Sequence, residues 1–222
     1  MNSGEYNSAS DLSADRQAKA EATGWFEAIY AGANKKGKGV PWAKMTANAH
    51  LVNWLTDEDV DGTGRRALVV GCGMGDDAEE LARRGYDVTA FDIAASAIAL
   101  CQSRFPGSAV KYQTADLFAA PGEWQHAFDF VFENITVQAL PPELQDEAIK
   151  HISPFTAPGG RLLVVTSARD PDVVPSGPPW PLARTSLERY LDDDMREVFQ
   201  RVETLQAQPV IWHVHALYER AG

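Results

Sequence analysis

Short apolar runs alternate with amphipathic segments through the central part of the chain, and this alternation restricts the fold more than any other feature. Strand-like runs separated by helical segments predict right-handed β-α-β units, which pair their strands in parallel. The last two runs are separated only by a turn near Gln208–Pro209, so they predict an antiparallel hairpin. The predicted strands are 66–70, 86–92, 108–116, 127–134, 159–168, 196–208 and 209–220, and the predicted helices are 77–85, 94–105, 141–155 and 184–195. The predicted fold class is α/β: a doubly wound, seven-stranded, mostly parallel sheet that ends in an antiparallel hairpin and has helices on both faces.

The N-terminal part of the chain does not follow this pattern. Residues 1–20 are rich in Ser, Asn, Asp and Ala, so we expect a disordered arm or a frayed helix there. Residues 21–58 contain two helical stretches separated by the Gly- and Lys-rich loop 34–39, and Pro41 is placed to begin the second. A segment with aromatic side chains but no strand of its own is expected to close over a site as a helical lid. Residues 59–222 then form the main domain.

The charge balance excludes two classes of partner. The 222 residues carry a formal net charge of −11, and such a surface repels nucleic-acid phosphates and anionic lipid. No apolar run approaches the ~18 residues that span a bilayer, and the N-terminus lacks the basic and then apolar regions of a signal peptide. We therefore expect a cytoplasmic protein. Its only cysteines, Cys72 and Cys101, are too few for a disulfide framework.

A glycine-rich turn, Gly71-Cys72-Gly73-Met74-Gly75, joins the first strand to the helix that follows it. In a doubly wound sheet a nucleotide binds at this turn, because glycine allows tight turning and close approach of the backbone to a ligand. Asp92 ends the next strand, 21 residues after Gly71, where an acid that binds ribose hydroxyls is expected. Asp76 follows the third glycine and would repel a dinucleotide pyrophosphate. The turn therefore favours a nucleoside with a cationic or neutral tail.

Three further features accompany the glycine turn and Asp92: the Ala-Asp-Leu-Phe run that ends at Phe118, the strand 128–134 and the Pro-Gly-Gly strand 158–165. Together, these features resemble class I S-adenosylmethionine-dependent methyltransferases over about residues 60–222. The resemblance implies a Rossmann-like sheet and S-adenosyl-L-methionine as cofactor. Many members carry an acid two residues before the first glycine, but this chain has Val69 there, as in the thiol, halide and thiopurine branch. The resemblance implies that the cofactor-binding residues are Gly71, Cys72, Gly73, Gly75, Asp92, Ile93, Asp116, Leu117, Glu133 and Asn134.

The N-terminal segment is similar to the tryptophan-rich lid of that branch. The similarity implies that Trp25 and Trp42 contact the cofactor and that Tyr30 contacts the substrate. The segment 176–182, Ser-Gly-Pro-Pro-Trp-Pro-Leu, resembles the one after the fifth strand in the same branch and implies a substrate contact for Trp180. Tyr30 lies five residues after Trp25, where the branch usually has four.

The implied chemistry needs alignment more than proton transfer. Displacement at a sulfonium methyl group is in-line, and alignment alone supplies about 7–11 kcal/mol. A thiol is partly ionised at neutral pH, so we expect a methyltransferase that acts on a small thiol or another soft nucleophile. The alternative is an O- or N-methyltransferase of a secondary metabolite, with Tyr30, Glu133 or His50 as base. An NAD-dependent oxidoreductase or an inactive nucleoside-binding module are the alternatives from other classes.

No metal site is predicted. His213 and His215 are two residues apart and share a strand face, but the sequence shows no third ligand near them. The catalytic residue stays unknown, with Tyr30 and Glu133 as the leading candidates. We expect a small-molecule acceptor as partner and a monomer or homodimer.

Overall fold

The protein is described here by a computed structural model that covers residues 9–192, 194–205 and 211–222. The helices are α1 (Ala9–Ala31), α2 (Ala49–Asp57), α3 (Asp76–Arg83), α4 (Ala95–Arg104) and α5 (Pro142–Ile152). The strands are β1 (Arg66–Val70), β2 (Asp87–Asp92), β3 (Lys111–Thr114), β4 (Phe128–Asn134), β5 (Thr156–Arg169), β6 (Leu182–Ala183), β7 (Met195–Leu205) and β8 (Ile211–Arg220). No helix within these residues is both long and apolar enough to cross a membrane.

One mixed sheet has the strand order β3-β2-β1-β4-β5-β8-β7. Strands β1 to β5 pair in parallel, whereas β8 runs antiparallel to both β5 and β7. This arrangement confirms the predicted doubly wound, mostly parallel sheet with its C-terminal hairpin. The structure adds a two-residue strand, β6, which pairs with the end of β5. The turn predicted near Gln208–Pro209 lies outside the described residues.

The core lies on both faces of the sheet. On one face α5 and the following turn pack with side chains of β1, β4 and β5, and on the other face α2, α3 and α4 pack against the same strands. Strand β1 is buried from Ala67 to Val70, as expected for a central parallel strand that is covered on both sides. Trp54 of α2 stacks on Phe130 of β4 with ring centroids 4.9 Å apart. Helix α2 therefore belongs to the core, although the sequence analysis placed it in the lid.

The N-terminal helix is longer than predicted, because residues 9–20 continue into the same helix as residues 21–31. Lys19 of α1 forms an ion pair with Glu147 of α5 at 2.6 Å. Glu27 accepts hydrogen bonds from the backbone N–H and the hydroxyl of Ser96 at the start of α4. Helix α1 thus crosses the carboxyl edge of the sheet. It contacts α5 on one side of the sheet and the start of α4 on the other. Residues 1–8 of the predicted arm lie outside the described residues.

Two local predictions were wrong. Pro41 does not begin a helix: α2 begins at Ala49, where the side chain of Asn48 accepts a hydrogen bond from the backbone N–H of His50, as an N-cap does. The segment predicted as a helix over 184–195 forms only a 3₁₀ stretch, Arg184–Tyr190. Asp192 ends that region by accepting hydrogen bonds from the buried side chain of Arg220.

Candidate functional site

A cavity of about 620 Å³ opens at the carboxyl ends of β1, β2 and β4, beneath α1 and the segment that follows it. This is the edge of a doubly wound sheet where ligands bind, and the volume falls in the range of about 300–1,000 Å³ typical of small-molecule sites. The structure brings most of the predicted site residues together in its lining: Trp25, Tyr30, Trp42, Gly71, Cys72, Gly73, Gly75, Asp92, Ile93, Asp116, Leu117 and Asn134.

The glycine turn needs its glycines for conformation as well as for space. Gly71 and Gly73 have φ angles of +60° and +52°, a region that side chains rarely adopt. A Cβ atom on Gly71 would collide with the side chain of Thr136, and one on Gly73 would lie 3.0 Å from the hydroxyl of Tyr30. The backbone of this turn, the glycine floor of the cavity, can therefore approach Thr136 and Tyr30 closely.

Asp92 connects the ends of β1 and β2. One carboxylate oxygen accepts from the backbone N–H of Gly73 and the other from that of Ala94, each at 3.0 Å. Burial raises the pKa of this carboxyl group, and the hydrogen bonds from Ala94 and Gly73 oppose the shift. The carboxylate lines the cavity at the position expected for binding ribose hydroxyls.

The sequence predicts that the charge of Asp76 would repel a pyrophosphate. In the structure an arginine, Arg104, neutralises this charge. Arg104 of α4 forms two hydrogen bonds with the carboxylate of Asp76, both at 2.8 Å. Arg104 also donates to the backbone carbonyl of Met74 in the glycine turn. This ion pair therefore holds the glycine turn against α4. The negative charge of the cavity comes instead from its other carboxyl groups, Asp77, Asp92 and Asp116.

Asp77, in the first turn of α3, was not among the predicted site residues. Its carboxylate accepts from the backbone N–H of Asn48 at 2.6 Å and from the side-chain amide of Asn134 at 3.3 Å. The amide of Asn48 also donates to Asn134 at 3.1 Å. Burial raises the pKa of Asp77 to about 6 despite these bonds. The three side chains form a polar network that lines the cavity.

An aromatic cluster forms the opposite wall. Trp42 lies edge-on to Trp25, Phe26 and Tyr30, with centroid distances of 5.8, 6.4 and 6.0 Å. The indole N–H of Trp42 donates to the hydroxyl of Tyr30 at 3.0 Å. Trp42 is 43% exposed, whereas Tyr30 is buried. All four aromatic residues line the cavity, and aromatic rings suit a ligand with a positive charge.

The two catalytic candidates differ from the expectation. Tyr30 lines the cavity, but burial and the charge of Asp92 raise the pKa of its phenol well above the usual range, so a phenolate base is not available there. Glu133 is fully buried outside the lining, where it accepts from the backbone N–H of Val137 at 3.1 Å and from the hydroxyl of Tyr190 at 3.4 Å. Burial raises its pKa to about 7.

Two further predicted residues lie away from the cavity. Trp180 is outside the lining, while the neighbouring Pro178 and Pro179 line the cavity. Its backbone N–H donates to the carbonyl of Gln138, and its carbonyl accepts from the side-chain amide of Gln145. The ring of His50, the third base considered, stacks on His215 of β8 instead of facing the cavity.

Some lining residues carried a sequence signal and others did not. Asp77 could have been found, because the first helical turn after a glycine-rich loop faces the ligand in this type of fold. Thr136 lies two residues after the end of β4, and its hydroxyl donates to the carbonyl of Val70 at 2.9 Å. Asn48 precedes the sheet in the chain and reaches the cavity only because α2 packs against the core, so no spacing rule locates it.

The lining fits a nucleoside that carries a positive charge. Gly71, Gly73 and Gly75 line the cavity without side chains, so a ligand can approach the backbone of the glycine floor. Three carboxyl groups line the cavity without an arginine partner among the described residues: Asp77, Asp92 and Asp116. The carboxylate of Asp116 accepts from the backbone N–H of Phe118 at 2.9 Å, which orients it at the edge of the cavity. These carboxylate acceptors and the aromatic wall match the hydroxyls, ammonium group and sulfonium of S-adenosylmethionine.

Comparison with known proteins agrees with this fit. The family model described as thiopurine S-methyltransferase matches residues 34–220. An uncharacterized methyltransferase of Mycobacterium bovis is 36% identical over 127 residues, which are 57% of this chain and 60% of the relative. The ubiquinone biosynthesis O-methyltransferase of Aeromonas salmonicida is 27% identical over 128 residues, 56% of this chain and 52% of the relative. The match thus spans little more than half the length of these relatives.

Solved structures share the fold. The N-methyltransferase NodS of Bradyrhizobium japonicum, in complex with S-adenosyl-L-homocysteine, gives a TM-score of 0.65 at 20% identity and covers 90% of this chain and 99% of its own. A structure from work on the conversion of a disulfide bond into a thioacetal group in echinomycin biosynthesis gives a TM-score of 0.70 at 19% identity, covering 90% and 91%. At these identities the likeness concerns the fold alone.

Replacing Asp92 tests the cofactor site. Asp92→Asn removes the charge that would strengthen bonds to ribose hydroxyls, which are worth about 1.5–3 kcal/mol when one partner is ionised. We expect the Kd for S-adenosylhomocysteine, measured by calorimetry, to rise at least tenfold. Asp129→Asn is the matched control, because Asp129 also accepts a backbone N–H, from Arg66 at 2.7 Å, but lies outside the cavity lining. An unchanged Kd for Asp92→Asn would contradict the ribose assignment.

Replacing Glu133 separates a structural from a catalytic role. Its pKa of about 7 in the folded protein exceeds the usual 4.3 of the unfolded chain, so ionisation destabilises the fold increasingly as the pH rises from about 4 to 7. Glu133→Gln should therefore be more stable than wild type at pH 8, by on the order of 3 kcal/mol, and lose this advantage below pH 4. Urea unfolding at both pH values measures the difference.

The control for this variant is Glu143→Gln, which removes an exposed acid in the first turn of α5 and should lower stability by no more than about 1 kcal/mol at pH 8. Turnover of Glu133→Gln should equal that of wild type. If Glu133→Gln has the stability of wild type but no turnover, Glu133 is a catalytic residue.

Proposed function

The chain belongs to the thiopurine S-methyltransferase family, and on that premise we propose that it transfers the methyl group of S-adenosyl-L-methionine to a small acceptor, preferably a thiol or another soft nucleophile. The observation that carries the proposal is the single cavity lining in which the glycine floor, Asp92 and the aromatic wall meet. The family assignment leaves the oxidoreductase alternative without support.

The proposed cofactor would bind along the strand ends. Asp92 would bind the ribose, Asp116 and Leu117 would flank the adenine, and the floor at Gly71 and Gly73 would carry the methionine part. When bound, S-adenosylmethionine supplies a methyl group on a positively charged sulfur. An in-line nucleophile would take the methyl group, with the sulfur as the leaving group. The aromatic wall would exclude water and stabilise the positive charge by cation–π contact.

The preference for a soft acceptor follows from the shortage of bases. Of the three bases considered from sequence, Tyr30 holds its proton, Glu133 lies outside the lining and His50 faces another element. Alignment can supply about 7–11 kcal/mol without proton transfer, and a thiol with a free pKa near 8.5 delivers its own thiolate. The side chains of the wall and floor would therefore act by holding the acceptor in line and excluding water.

Asp77 supports a second candidate, an O- or N-methyltransferase. With a pKa of about 6 it is ionised at neutral pH and lines the same cavity, so it meets the requirement for a general base. Asn48 and Asn134 would hold its carboxylate in one orientation through the bonds described above.

A net charge of −11 supports small molecules over nucleic acid or membranes as partners. We propose a cytoplasmic monomer or homodimer as its working form.

An acceptor screen with pH profiles tests the proposal and separates its two forms. Labelled cofactor is incubated with sulfide, small thiols, iodide, phenols and amines. With a thiol as acceptor, kcat/KM should rise toward the thiol pKa of about 8.5, and Asp77→Asn should keep that profile. With an oxygen or nitrogen acceptor, kcat/KM should rise through pH 6 and fall at least a hundredfold in Asp77→Asn.

Asp61→Asn is the control for the acid substitution, because Asp61 is an exposed residue outside the cavity lining. Binding of S-adenosylhomocysteine without methylation of any acceptor would leave the chain as a binding module and refute the proposal.

The lid generates a separate prediction. Trp25 and Trp42 form the aromatic wall, so the tryptophan fluorescence should change when S-adenosylhomocysteine is added. The Trp25→Phe/Trp42→Phe double variant should not show this fluorescence change. Its turnover should fall at least tenfold, because its smaller rings admit water and align the acceptor less well. Trp212→Phe, a half-buried tryptophan outside the cavity lining, should keep both. Full turnover in the double variant would show that these rings serve only for packing.

A further inference from the structure

A second cluster of ionisable side chains lies outside the cavity, between α2 and the C-terminal hairpin. It consists of His50 on α2, Glu203 on β7 and His215 on β8, and one nitrogen or carboxylate oxygen of each lies within 4.8 Å of the others. None of the three lines the cavity. The methyl-transfer proposal assigns them no role.

The fold creates this cluster from three distant parts of the chain. In the β7–β8 ladder Arg201 pairs with His215 and Glu203 pairs with His213, so Glu203 and His215 are diagonal neighbours on one sheet face, within reach of each other's side chains. Helix α2 packs on that face and stacks the ring of His50 on that of His215, with centroids 4.5 Å apart. The sequence showed only His213 and His215 as a pair, and His213 is not part of the cluster.

His215 carries the observation that points to a ligand. The residue is 8% exposed, and its Nδ1 atom has no hydrogen-bond partner among the residues that the structure describes. A buried polar atom without a partner is costly, so this nitrogen either accepts a bond from a group that arrives from outside or destabilises the fold. Its neighbours in the cluster are a histidine and a carboxylate, and neither of them bonds to it.

The charges around the imidazole favour a lone pair over a proton. Burial lowers the pKa of His215, and the charges of His50 and Arg201 act in the same direction, while Glu203 opposes them. The guanidinium of Arg201 lies over the ring of Phe199, 5.2 Å from the centroid. A neutral imidazole is the form that binds a metal ion.

We propose that His50, Glu203 and His215 form a binding site for a divalent transition-metal ion, with Zn²⁺ as the ion that fits the ligand set best. Two imidazoles and one carboxylate are a ligand set that zinc uses in proteins, with metal–ligand distances of about 2.0–2.2 Å and a water molecule in the fourth position. Such distances place the ligand atoms roughly 3.3 Å apart in a tetrahedron. The half-buried His50 and the exposed Glu203 have the freedom to close from 4.8 Å by side-chain rotation.

The position of the site defines what the ion would do. His50 lies two residues after Asn48, whose backbone and amide bond to Asp77 and Asn134 in the cavity. An ion at His50 would cross-link α2 to the hairpin, and would hold the start of α2 against the sheet. We assign the ion a stabilising role, because none of the three side chains lines the cavity.

Metal binding is tested directly on full-length protein without an affinity tag, stripped with a chelator and titrated with Zn²⁺ by calorimetry. We expect one ion per chain at micromolar affinity or tighter and a rise in Tm of several degrees in the presence of Zn²⁺. His50→Gln, Glu203→Gln and His215→Gln should each weaken binding at least tenfold. Titration with Co²⁺ should produce visible absorption bands that these variants lose.

His151→Gln is the matched control, because His151 also faces a carboxylate, Glu147 at 3.9 Å, but belongs to no cluster of three among the described residues. It should bind Zn²⁺ as wild type does. If His215→Gln fails to fold, as judged by circular dichroism, the two more exposed positions decide the question. Absence of binding in the wild type, or equal binding by all variants, would overturn the proposal. Neither result depends on methyl transfer.

Discussion

The carboxylate of Asp92 binds the backbone N–H groups of Gly73 and Ala94, and the rest of the site depends on this interaction. It ties the turn after β1 to the end of β2, so the floor of the cavity and its acidic edge are positioned together. Arg104 secures the same turn from α4 through Asp76 and the carbonyl of Met74. A buried acid with bonded N–H groups on both oxygens has little freedom to move, and a ligand therefore meets a preformed site.

The lid and the core meet at α2. Helix α1 crosses the cavity and is held through Lys19 and Glu27, while α2 packs its tryptophan on the sheet. Between them, Trp42 reaches back to Tyr30. The segment that carries the aromatic wall is therefore anchored at both of its ends, in α1 and at α2. This anchoring limits the number of arrangements that the wall can adopt. The proposed ion site would strengthen the anchor on the α2 side.

Most of the fold could be predicted from sequence because its signals are local. The strand β1, the glycine turn and the acid at the end of β2 follow from apolar runs, glycine conformation and spacing within one β-α-β unit. The observed strand order confirms the predicted sheet. Pro41 misled the prediction, since an N-cap by Asn48 outweighed the preference of proline for a first turn. Trp180 and Glu133 were assigned to the site by resemblance, but packing of the segments around them decides which side chains face the cavity.

The sequence by itself determined the class of sheet, the position of the glycine floor and the aromatic composition of the lid, because each depends on residues close together in the chain. Only the tertiary structure decided which distant side chains meet. It buried Tyr30 beside Asp92 and so removed a base, and it brought Asp77 into contact with Asn48 and Asn134. It also stacked His50 on His215 beside Glu203. Contacts of this kind arise from the packing of helices on a sheet, and no sequence spacing encodes them.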